Sequence, residues 1–415
     1  MGARLHSRAV RIMSIYYTDD KVVLHHGDCL DVLATLPDAS VDAVVTDPPY
    51  GIGFMGKEWD SGKSFVERKA AKRNTFDHVG GNHNPTSSAD AARTRRVESA
   101  RFGAWCEQWV TECLRVLKPG GHLLAFGGTR TWHRLAVAVE DAGFEIRDNL
   151  AWLYGSGFPK SLNLVDESGE RTGQGTALKP AFEPIVMARK PLAGTVAANV
   201  LEHGTGALNI DACRIAGDVP SVPQPRYGVR DGITGFGSGE GRNGEMSSAP
   251  GGRWPANVIL DESQAEALDE QSGTLTSGSR KAGTHGLMGY MGADAAPMPE
   301  VVGDTGGASR FFYVAKAPKS ERPVVDGVAH PTVKPVSLMS WLVRLVTPPG
   351  GTVLEPFAGS GTTVEAAMRE GFHVVAVERE ADYLPLILAR ISRENARQAA
   401  EDANRAPSLF DEEAS

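Results

Sequence analysis

The chain has 415 residues, 41% of them hydrophobic, and a formal net charge of −8. This length can bury one large α/β core and still hold a smaller module. The negative charge argues against binding nucleic acid through bulk positive charge, so contact with a duplex would need local basic patches. The cysteines form no CxxC pair, which argues against a zinc site and against a disulfide scaffold; they are Cys29, Cys106, Cys113 and Cys213.

No apolar segment approaches the length of a membrane span, and the first residues lack the apolar core of a signal peptide. We therefore expect a cytoplasmic protein without a membrane partner. The histidines do not cluster at metal-ligand spacings, so we expect no metal site. Residues 1–13 carry three arginines and end at a second methionine, and we predict that they form a flexible arm.

The apolar pattern predicts strands that alternate with helices. Strands are expected at residues 22–24, 41–45, 122–126, 145–154, 183–188, 352–355 and 373–377. Helices are expected at residues 29–36, 105–117, 131–142 and 363–369, and the second of these should stop at residues 118–121, KPGG. Such alternation predicts an α/β fold, a doubly wound and mostly parallel sheet with helices on both faces.

Four residues, Asp47, Pro48, Pro49 and Tyr50, follow the second predicted strand. An exocyclic amino group on a base is a poor nucleophile because its lone pair is delocalised into the ring. Acceptors for its two N–H groups free that lone pair to attack an electrophilic methyl, and Asp47 and Pro48 can supply a carboxylate and a carbonyl. The prolines stiffen the turn, and Tyr50 offers a flat face to an unstacked base. Taken alone, the motif is better explained as a strand-ending turn with a buried tyrosine.

A glycine turn follows the predicted strand at residues 352–355 and precedes a predicted helix; its residues are Pro356, Phe357, Ala358, Gly359, Ser360, Gly361 and Thr362. Glycines let the backbone approach a ligand closely, and the N–H groups of the helix start bind polar groups. Glu378, which ends the next strand, stands where nucleotide-binding α/β units have a ribose-hydroxyl acceptor. Val364 replaces the third glycine of the dinucleotide fingerprint, and the sequence has no phosphate loop, so we expect a nucleoside ligand without a pyrophosphate.

Together with HPTVKP at residues 330–335, these two motifs resemble the DNA amino-methyltransferases that use S-adenosylmethionine. The catalytic motif precedes the cofactor motif, as in the circularly permuted beta group of that family. Sequence segments such as GFMGKEWD and YGSGFPKSLN are similar to segments of phage and prophage members of the family. The resemblance, carried by residues 20–60, 105–190 and 310–385, implies the Rossmann-like sheet of these enzymes in permuted order, with an inserted target-recognition region.

The resemblance also implies roles for single residues. It places Asp28 near the cofactor, and Thr332 and Lys334 near the methionine carboxylate. Glu355 stands where the family usually has Asp, and it would contact the methionine ammonium with a longer side chain. As a plain helix cap, Asp28 would look the same in the sequence.

Five ranges follow from the resemblance. After the arm 1–13, residues 14–192 form the catalytic half of the methyltransferase domain, and residues 310–391 form the cofactor-binding half. Residues 193–309, rich in Gly, Pro and Ser, are the predicted target-recognition region. Residues 392–415 are a polar tail that we expect to fray.

Three features within these ranges carry further expectations. Residues 55–101 hold ten Lys or Arg against six Asp or Glu, which suits either a loop that closes over DNA or a solvated disordered insertion. The glycine-rich residues 235–244 follow no strand and are predicted to be a loop rather than a nucleotide site. Trp152 and Phe158 would line the pocket for a flipped base, with Trp152 equally well explained as core.

The implied reaction is transfer of a methyl group from S-adenosylmethionine to the amino group of a base flipped from double-stranded DNA. Asp in the first motif position favours adenine N6, and cytosine N4 is the alternative. A C5 methylase would need a nucleophilic cysteine, typically after proline, and the sequence has no Pro-Cys pair. A non-catalytic DNA- or cofactor-binding relative is the second hypothesis. The recognised site, a cognate restriction endonuclease as partner and the oligomeric state stay open.

Overall fold

A computed structural model describes residues 14–53, 60, 88–157, 161–166, 168–217, 223–225, 246–248, 251–279, 303–316 and 318–405. Several sequence-based predictions concern residues outside these ranges. They are the arm 1–13, Phe158, the glycine-rich residues 235–244, and most of the basic insertion.

The helices of the described residues are α1 (Cys29–Leu33), α2 (Ser88–Val116), α3 (Trp132–Asp141), α4 (Val196–His203), α5 (Glu262–Ser272), α6 (Val336–Val346), α7 (Thr362–Arg369) and α8 (Leu384–Arg405). The strands are β1 (Ser14–Thr18), β2 (Val22–His26), β3 (Val41–Thr46), β4 (Leu117–Phe126), β5 (Glu145–Leu153), β6 (Asn163–Val165), β7 (Arg171–Gly175), β8 (Phe182–Arg189), β9 (Pro223–Pro225), β10 (Met246–Ser248), β11 (Val258–Asp261), β12 (Leu275–Thr276), β13 (Thr305–Gly306), β14 (Tyr313–Ala315), β15 (Val324–Val325), β16 (Val328–Ala329), β17 (Thr352–Glu355) and β18 (His373–Glu378).

Ten strands form one sheet in the order β1, β2, β18, β17, β3, β4, β8, β5, β11, β14. Most neighbours run parallel; the antiparallel pairings are β1 with β2 and β8 with both of its neighbours. All residues of β3 are buried, which is typical of a parallel strand covered on both faces. The sheet confirms the predicted mostly parallel α/β fold.

Helices cover both faces of the sheet. On one face, α1, α2 and α3 pack against strand residues such as Val44 and Leu123. On the other face, α6, α7 and α8 pack against Val45 and Leu124. Successive strand residues point to opposite faces, so the continuous apolar runs in the sequence fill both layers at once.

The two motif-bearing strands, β3 and β17, are neighbours in the sheet. They pair in parallel, with Val353 opposite Ala43 and Leu354 opposite Val44. The carboxyl ends of parallel strands meet at the same edge of the sheet, where α/β folds bind their ligands. The residues after β3 and those after β17 therefore lie beside each other, although they are about 300 positions apart in the sequence.

Strand β4, which ends at Phe126, begins earlier than predicted. It starts at Leu117 and includes the KPGG residues that were expected to end the preceding helix as a turn. The backbone N–H of Gly120 donates to the Lys190 carbonyl at 3.2 Å, and the Lys190 N–H donates to the Gly121 carbonyl at 2.8 Å. These residues are held by the chain that follows β8, a partner that the local sequence does not reveal.

The predicted fraying from Ser392 is wrong for residues 392–405, because α8 continues to Arg405. Glu394 is only 1% exposed, and the Arg397 side chain pairs with Glu394 and Glu401. Such pairs at spacings of three and four stabilise a helix whose composition is polar. Residues 406–415 lie outside the described residues.

Part of the predicted target-recognition region belongs to the main sheet. β11 pairs in parallel with β5 on one side and with β14 on the other, and α5 follows β11 directly. A strand from residues 193–309 thus extends the sheet of the two methyltransferase halves. A role of this range in target recognition stays a prediction.

Candidate active site

A cleft of about 1360 Å³ opens at the carboxyl ends of β3 and β17. Almost all of the sequence-predicted site residues line it: Asp28, Asp47, Pro48, Pro49, Tyr50, Thr332, Lys334, Glu355, Pro356, Phe357, Ala358, Gly359, Ser360, Thr362 and Glu378. Gly361 is the exception. It has a φ of 78° at the start of α7, and a Cβ there would lie 3.0 Å from the backbone of Ile387 in α8, so its requirement for glycine comes from helix packing.

Tyr50 is fixed at the wall of the cleft. Its hydroxyl lies 2.9 Å from Oδ1 of Asp47 and 2.8 Å from Oε2 of Glu183, and it can donate its one hydrogen to either. The Thr131 hydroxyl donates to the Tyr50 carbonyl at 2.6 Å, and a Cβ at Gly128 would lie 3.0 Å from the ring. Burial and the charges of Asp47 and Glu183 raise the pKa of Tyr50 well above its ordinary value, so the hydroxyl keeps its proton.

Lys334 joins the same group of side chains. Its Nζ lies 2.6 Å from Oδ2 of Asp47 and 3.2 Å from Oε2 of Glu183, and 4.9 Å from the ring centre of Phe126. Burial lowers the pKa of Lys334, but the two carboxylates raise it by a larger amount, and the net shift is upward. The resemblance implied a position of Lys334 near the methionine carboxylate. In the structure its ammonium contacts Asp47, and the position near the cofactor stays a prediction.

Glu355 lies at the end of β17 and is only 1% exposed. Its carboxylate accepts hydrogen bonds from the hydroxyls of Thr46 and Thr363 and from the backbone N–H of Phe357. Burial outweighs these hydrogen bonds and raises the pKa of Glu355 to about 8. Within the part of the chain that the structure describes, Glu355 forms no ion pair, so it is a buried acid suited to a cationic ligand group.

Glu378 ends β18 beside the glycine turn. Its Oε2 accepts from the backbone N–H of Gly359 at 2.7 Å, and its Oε1 accepts from the N–H of Glu380 at 2.6 Å. Burial raises the pKa of Glu378 to about 7. The side chain therefore fixes the backbone of the turn, and a further hydrogen bond to a ribose hydroxyl stays a prediction.

The remaining predicted residues have local partners. Asp28 caps α1, with Oδ1 accepting from the Leu30 N–H at 3.1 Å. Thr332 forms hydrogen bonds with the ring of His330. Both residues also line the cleft, so the structural role of Asp28 as a cap and its predicted position near the cofactor are compatible.

Trp152 lies at the cleft wall beside Tyr154, with the ring centres 5.0 Å apart. Trp152 is 9% exposed, and its indole N–H has no hydrogen-bond partner within the described residues. Trp152 thus belongs both to the core and to the wall of the cleft. Sequence reasoning had left these two roles equal.

Glu183 is the principal site residue that sequence reasoning missed. It lies near the start of β8, which runs antiparallel to β4 and β5. The beginning of such a strand lies at the same edge as the end of β3, and this brings Glu183 to Asp47. The available signal was an acidic residue directly before a continuous buried run, Pro184–Arg189 in the structure.

In the described ranges, no group of three His, Cys, Asp or Glu side chains could hold a metal ion. All four cysteines are buried. None of the described helices is both long and apolar enough to cross a membrane.

A protein-family model for N6 and N4 methyltransferases, described as DNA methylase, matches residues 41–389. The chain belongs to the N6/N4 DNA methylase family. This confirms the resemblance to the DNA amino-methyltransferases that use S-adenosylmethionine. The circularly permuted order and the similarity to phage members stay predictions. The match includes both motif-bearing strands, β3 and β17.

Two curated relatives of this DNA methylase are Type II methyltransferases. M.HindIII of Haemophilus influenzae is 29% identical over 209 residues, which are 45% of this chain and 64% of that relative. M.ScaI of Streptomyces caespitosus is 22% identical over 385 residues, covering 91% of this chain and 84% of the relative.

Solved structures of DNA methyltransferases are also similar to the chain, at low identity. PvuII DNA methyltransferase, described as cytosine-N4-specific, is 14% identical with a TM-score of 0.44, and the likeness covers 90% of this chain and 87% of that one. A complex of M1.HpyAVI with S-adenosylmethionine is 14% identical with a TM-score of 0.39, covering 89% and 98%.

Proposed function

We propose that the chain methylates adenine N6 in double-stranded DNA, on a base flipped into the cleft. The observation that supports this most is the meeting of two sites in one cleft. Asp47 and Tyr50 line it together with the glycine turn, Glu355 and Glu378. A target base at Asp47 and a methyl donor at the turn would therefore face each other.

The residues fit S-adenosylmethionine as the cofactor. Glu355 offers a buried carboxylate without an ion-pair partner among the described residues, which suits the methionine ammonium. Gly359 presents backbone in a conformation with a φ of 51°, beside the Glu378 carboxylate. When bound, the cofactor supplies an electrophilic methyl group on a positively charged sulfur.

The chain's own groups would prepare the target nitrogen. Asp47 and the Pro48 carbonyl accept the two N–H groups and leave the lone pair free to attack the methyl carbon. The nearby Asp47 carboxylate would stabilise the positive charge that develops on the nitrogen during methyl transfer. The amino group then loses one proton, to Asp47 or to water. Lys334 and Tyr50 hold Asp47 in place by contacting both of its oxygens.

Adenine is the proposed base because Asp, rather than Ser, stands first in the motif. A DNA duplex is supported by the charges at the opening of the cleft. Arg130, Lys179 and Arg322 line it and are exposed, so phosphates can meet local positive charge although the chain as a whole is acidic.

We also propose the circularly permuted order of the beta group, with residues 193–309 as the target-recognition region. The catalytic strand β3 precedes the cofactor strand β17 in the chain, and the two are neighbours in the sheet. A cognate restriction endonuclease fits the Type II relatives and belongs to the same proposal.

Single-molecule sequencing of DNA from cells that express the chain tests base, site and activity together. We expect N6-methyladenine at one defined sequence, and none in cells that express Asp47→Ala, because the acceptor for the amino group is lost. N4-methylcytosine at a defined site would show that cytosine, and not adenine, is the target base. Absence of both, with the protein folded and bound to S-adenosylmethionine, would leave the non-catalytic relative as the explanation.

A further inference from the structure

Leu178 is an apolar side chain that faces solvent at the opening of the cleft. It is 92% exposed, the highest value among the large hydrophobic residues that the structure describes, and it lines the same cleft as Asp47 and Tyr50. It follows the hairpin of β6 and β7 and precedes β8, the strand that carries Glu183. Ile52 and Phe182, which are 46% and 40% exposed, line the same cleft. Several exposed apolar residues at one site point to a binding partner.

The segment that carries Leu178 is held at both sides. The backbone N–H of Thr176 donates to the Ser161 hydroxyl at 2.9 Å. On the other side, Nζ of Lys179 donates to the Gly155 carbonyl at 2.7 Å. The leucine is thus presented on an anchored segment, so its exposure is a property of the fold.

The surroundings of Leu178 indicate what its partner is. The exposed side chains of Arg130, Lys179 and Arg322 line the same opening, while Asp47 and Glu183 lie deeper, with side chains 23% and 19% exposed. Phosphates suit the rim, and a base suits the interior. An apolar side chain at this opening would face the base stack of a duplex whose phosphates contact the rim.

We propose that Leu178 inserts into the DNA duplex at the position that the target base leaves. This inference rests on the proposed function, since it requires a base to be flipped. Flipping breaks the stacking and pairing of the target base. An apolar wedge between base steps covers the exposed faces of the neighbouring pairs, and Leu178 loses its contact with water at the same time. The wedge would therefore stabilise the flipped state without contacting the reacting atoms.

The test compares two substitutions on two substrates. Leu178→Ala removes the wedge, and Leu162→Ala is the matched control, because Leu162 is 72% exposed beside the same hairpin but does not line the cleft. One substrate is an oligonucleotide duplex that contains the recognised site with the target base paired. The other has an abasic position opposite the target, so that the base is already unpaired.

We expect Leu178→Ala to lower kcat/KM on the paired duplex by about tenfold, because stabilisation of the flipped state is lost. On the abasic duplex, the variant should match the wild type to within about twofold, since little pairing remains to be broken. 2-Aminopurine at the target position should brighten less with Leu178→Ala than with the wild type on the paired duplex. Leu162→Ala should match the wild type on both substrates.

Four results would overturn the wedge. An equal loss on both substrates would assign Leu178 to cofactor binding or stability, which calorimetry with S-adenosylmethionine would detect. No loss on the paired duplex, or the same loss with Leu162→Ala, would show that insertion at this position does not occur. A wild type that methylates neither substrate would refute the proposed function itself, and the wedge with it.

Discussion

Nζ of Lys334 lies 2.6 Å from Oδ2 of Asp47, the carboxylate that the proposed reaction uses. The same ammonium lies 3.2 Å from Glu183, so one cation is shared by two carboxylates. Because the pKa of Lys334 is raised by these charges beyond the lowering that burial causes, the ammonium stays charged at neutral pH. Asp47 is thereby oriented by Lys334 on one oxygen and by Tyr50 on the other, while Glu183 keeps the group net negative.

Lys334→Met should lower the rate of methyl transfer by roughly 100-fold, because Asp47 loses the group that orients it. Glu183→Gln should lower the rate less, since the contact between Lys334 and Asp47 remains. Single-turnover rates of the two variants measure both effects.

The control for these variants is Glu145→Gln. Glu145 lies on β5 and pairs with Arg189 on β8, at the end of the two strands away from Glu183. Its rate should match the wild type. If Lys334→Met kept the wild-type rate, the contact between Lys334 and Asp47 would have no part in the reaction.

Glu355 should release a proton when S-adenosylmethionine binds. Burial raises the pKa of Glu355 to about 8, so the carboxyl group is protonated at about pH 6, where the methionine ammonium carries its charge. Pairing with that ammonium requires the ionised carboxylate. Calorimetry in buffers of different ionisation enthalpy measures the release, and Glu355→Gln should reduce it and weaken binding. Binding without proton release would contradict the pairing.

The same carboxyl group makes the stability of the ligand-free protein depend on pH. An unfolded glutamate has a pKa of about 4.3, so between about pH 4.3 and 8 the folded state binds a proton that the unfolded state has lost. The contribution of Glu355 to the free energy of unfolding therefore falls as the pH rises through this window. Glu355→Gln should remove that slope, and the wild type should melt earlier than the variant at about pH 8.

Tyr50→Phe separates the ring from the hydroxyl. The ring alone can stack on a flipped base. A stacking role therefore predicts that Tyr50→Phe lowers the transfer rate less than Tyr50→Ala does. The hydroxyl lies within hydrogen-bond distance of both Asp47 and Glu183. Tyr50→Phe should therefore still cost roughly 1–3 kcal/mol in the free energy of unfolding or in the activation barrier. This is the range for a lost hydrogen bond to a charged group. Thermal melts and transfer rates of the two variants measure this. Equal damage by Phe and Ala would show that the hydroxyl, and not stacking, carries the role of Tyr50.

The sequence could predict β3 and β17 because both signals are local, an apolar run in one case and a strand before a glycine turn in the other. It could not predict Glu183, because its place beside Asp47 depends on β8 entering the sheet in the reverse direction. The motif around Lys334 was recognised, but the contact of Lys334 with Asp47 depends on how two distant parts of the chain pack. The length of α8 was not predicted, because its polar residues are stabilised by ion pairs such as that of Glu394 with Arg397 rather than by an apolar stripe.

Gly359→Ala should weaken S-adenosylmethionine binding by tenfold or more, on the order expected for a side chain that displaces backbone from a ligand. Gly359 has a φ of 51°, and an added Cβ would lie 3.1 Å from Nε2 of His330 at the cleft wall. The matched control is Gly371→Ala, because Gly371 has a φ of 82° and open space around its Cβ position. Both variants should lose about 1 kcal/mol of stability from the left-handed backbone, but only Gly359→Ala should lose affinity in calorimetry. Equal affinities for the two variants would mean that the cofactor does not contact the turn.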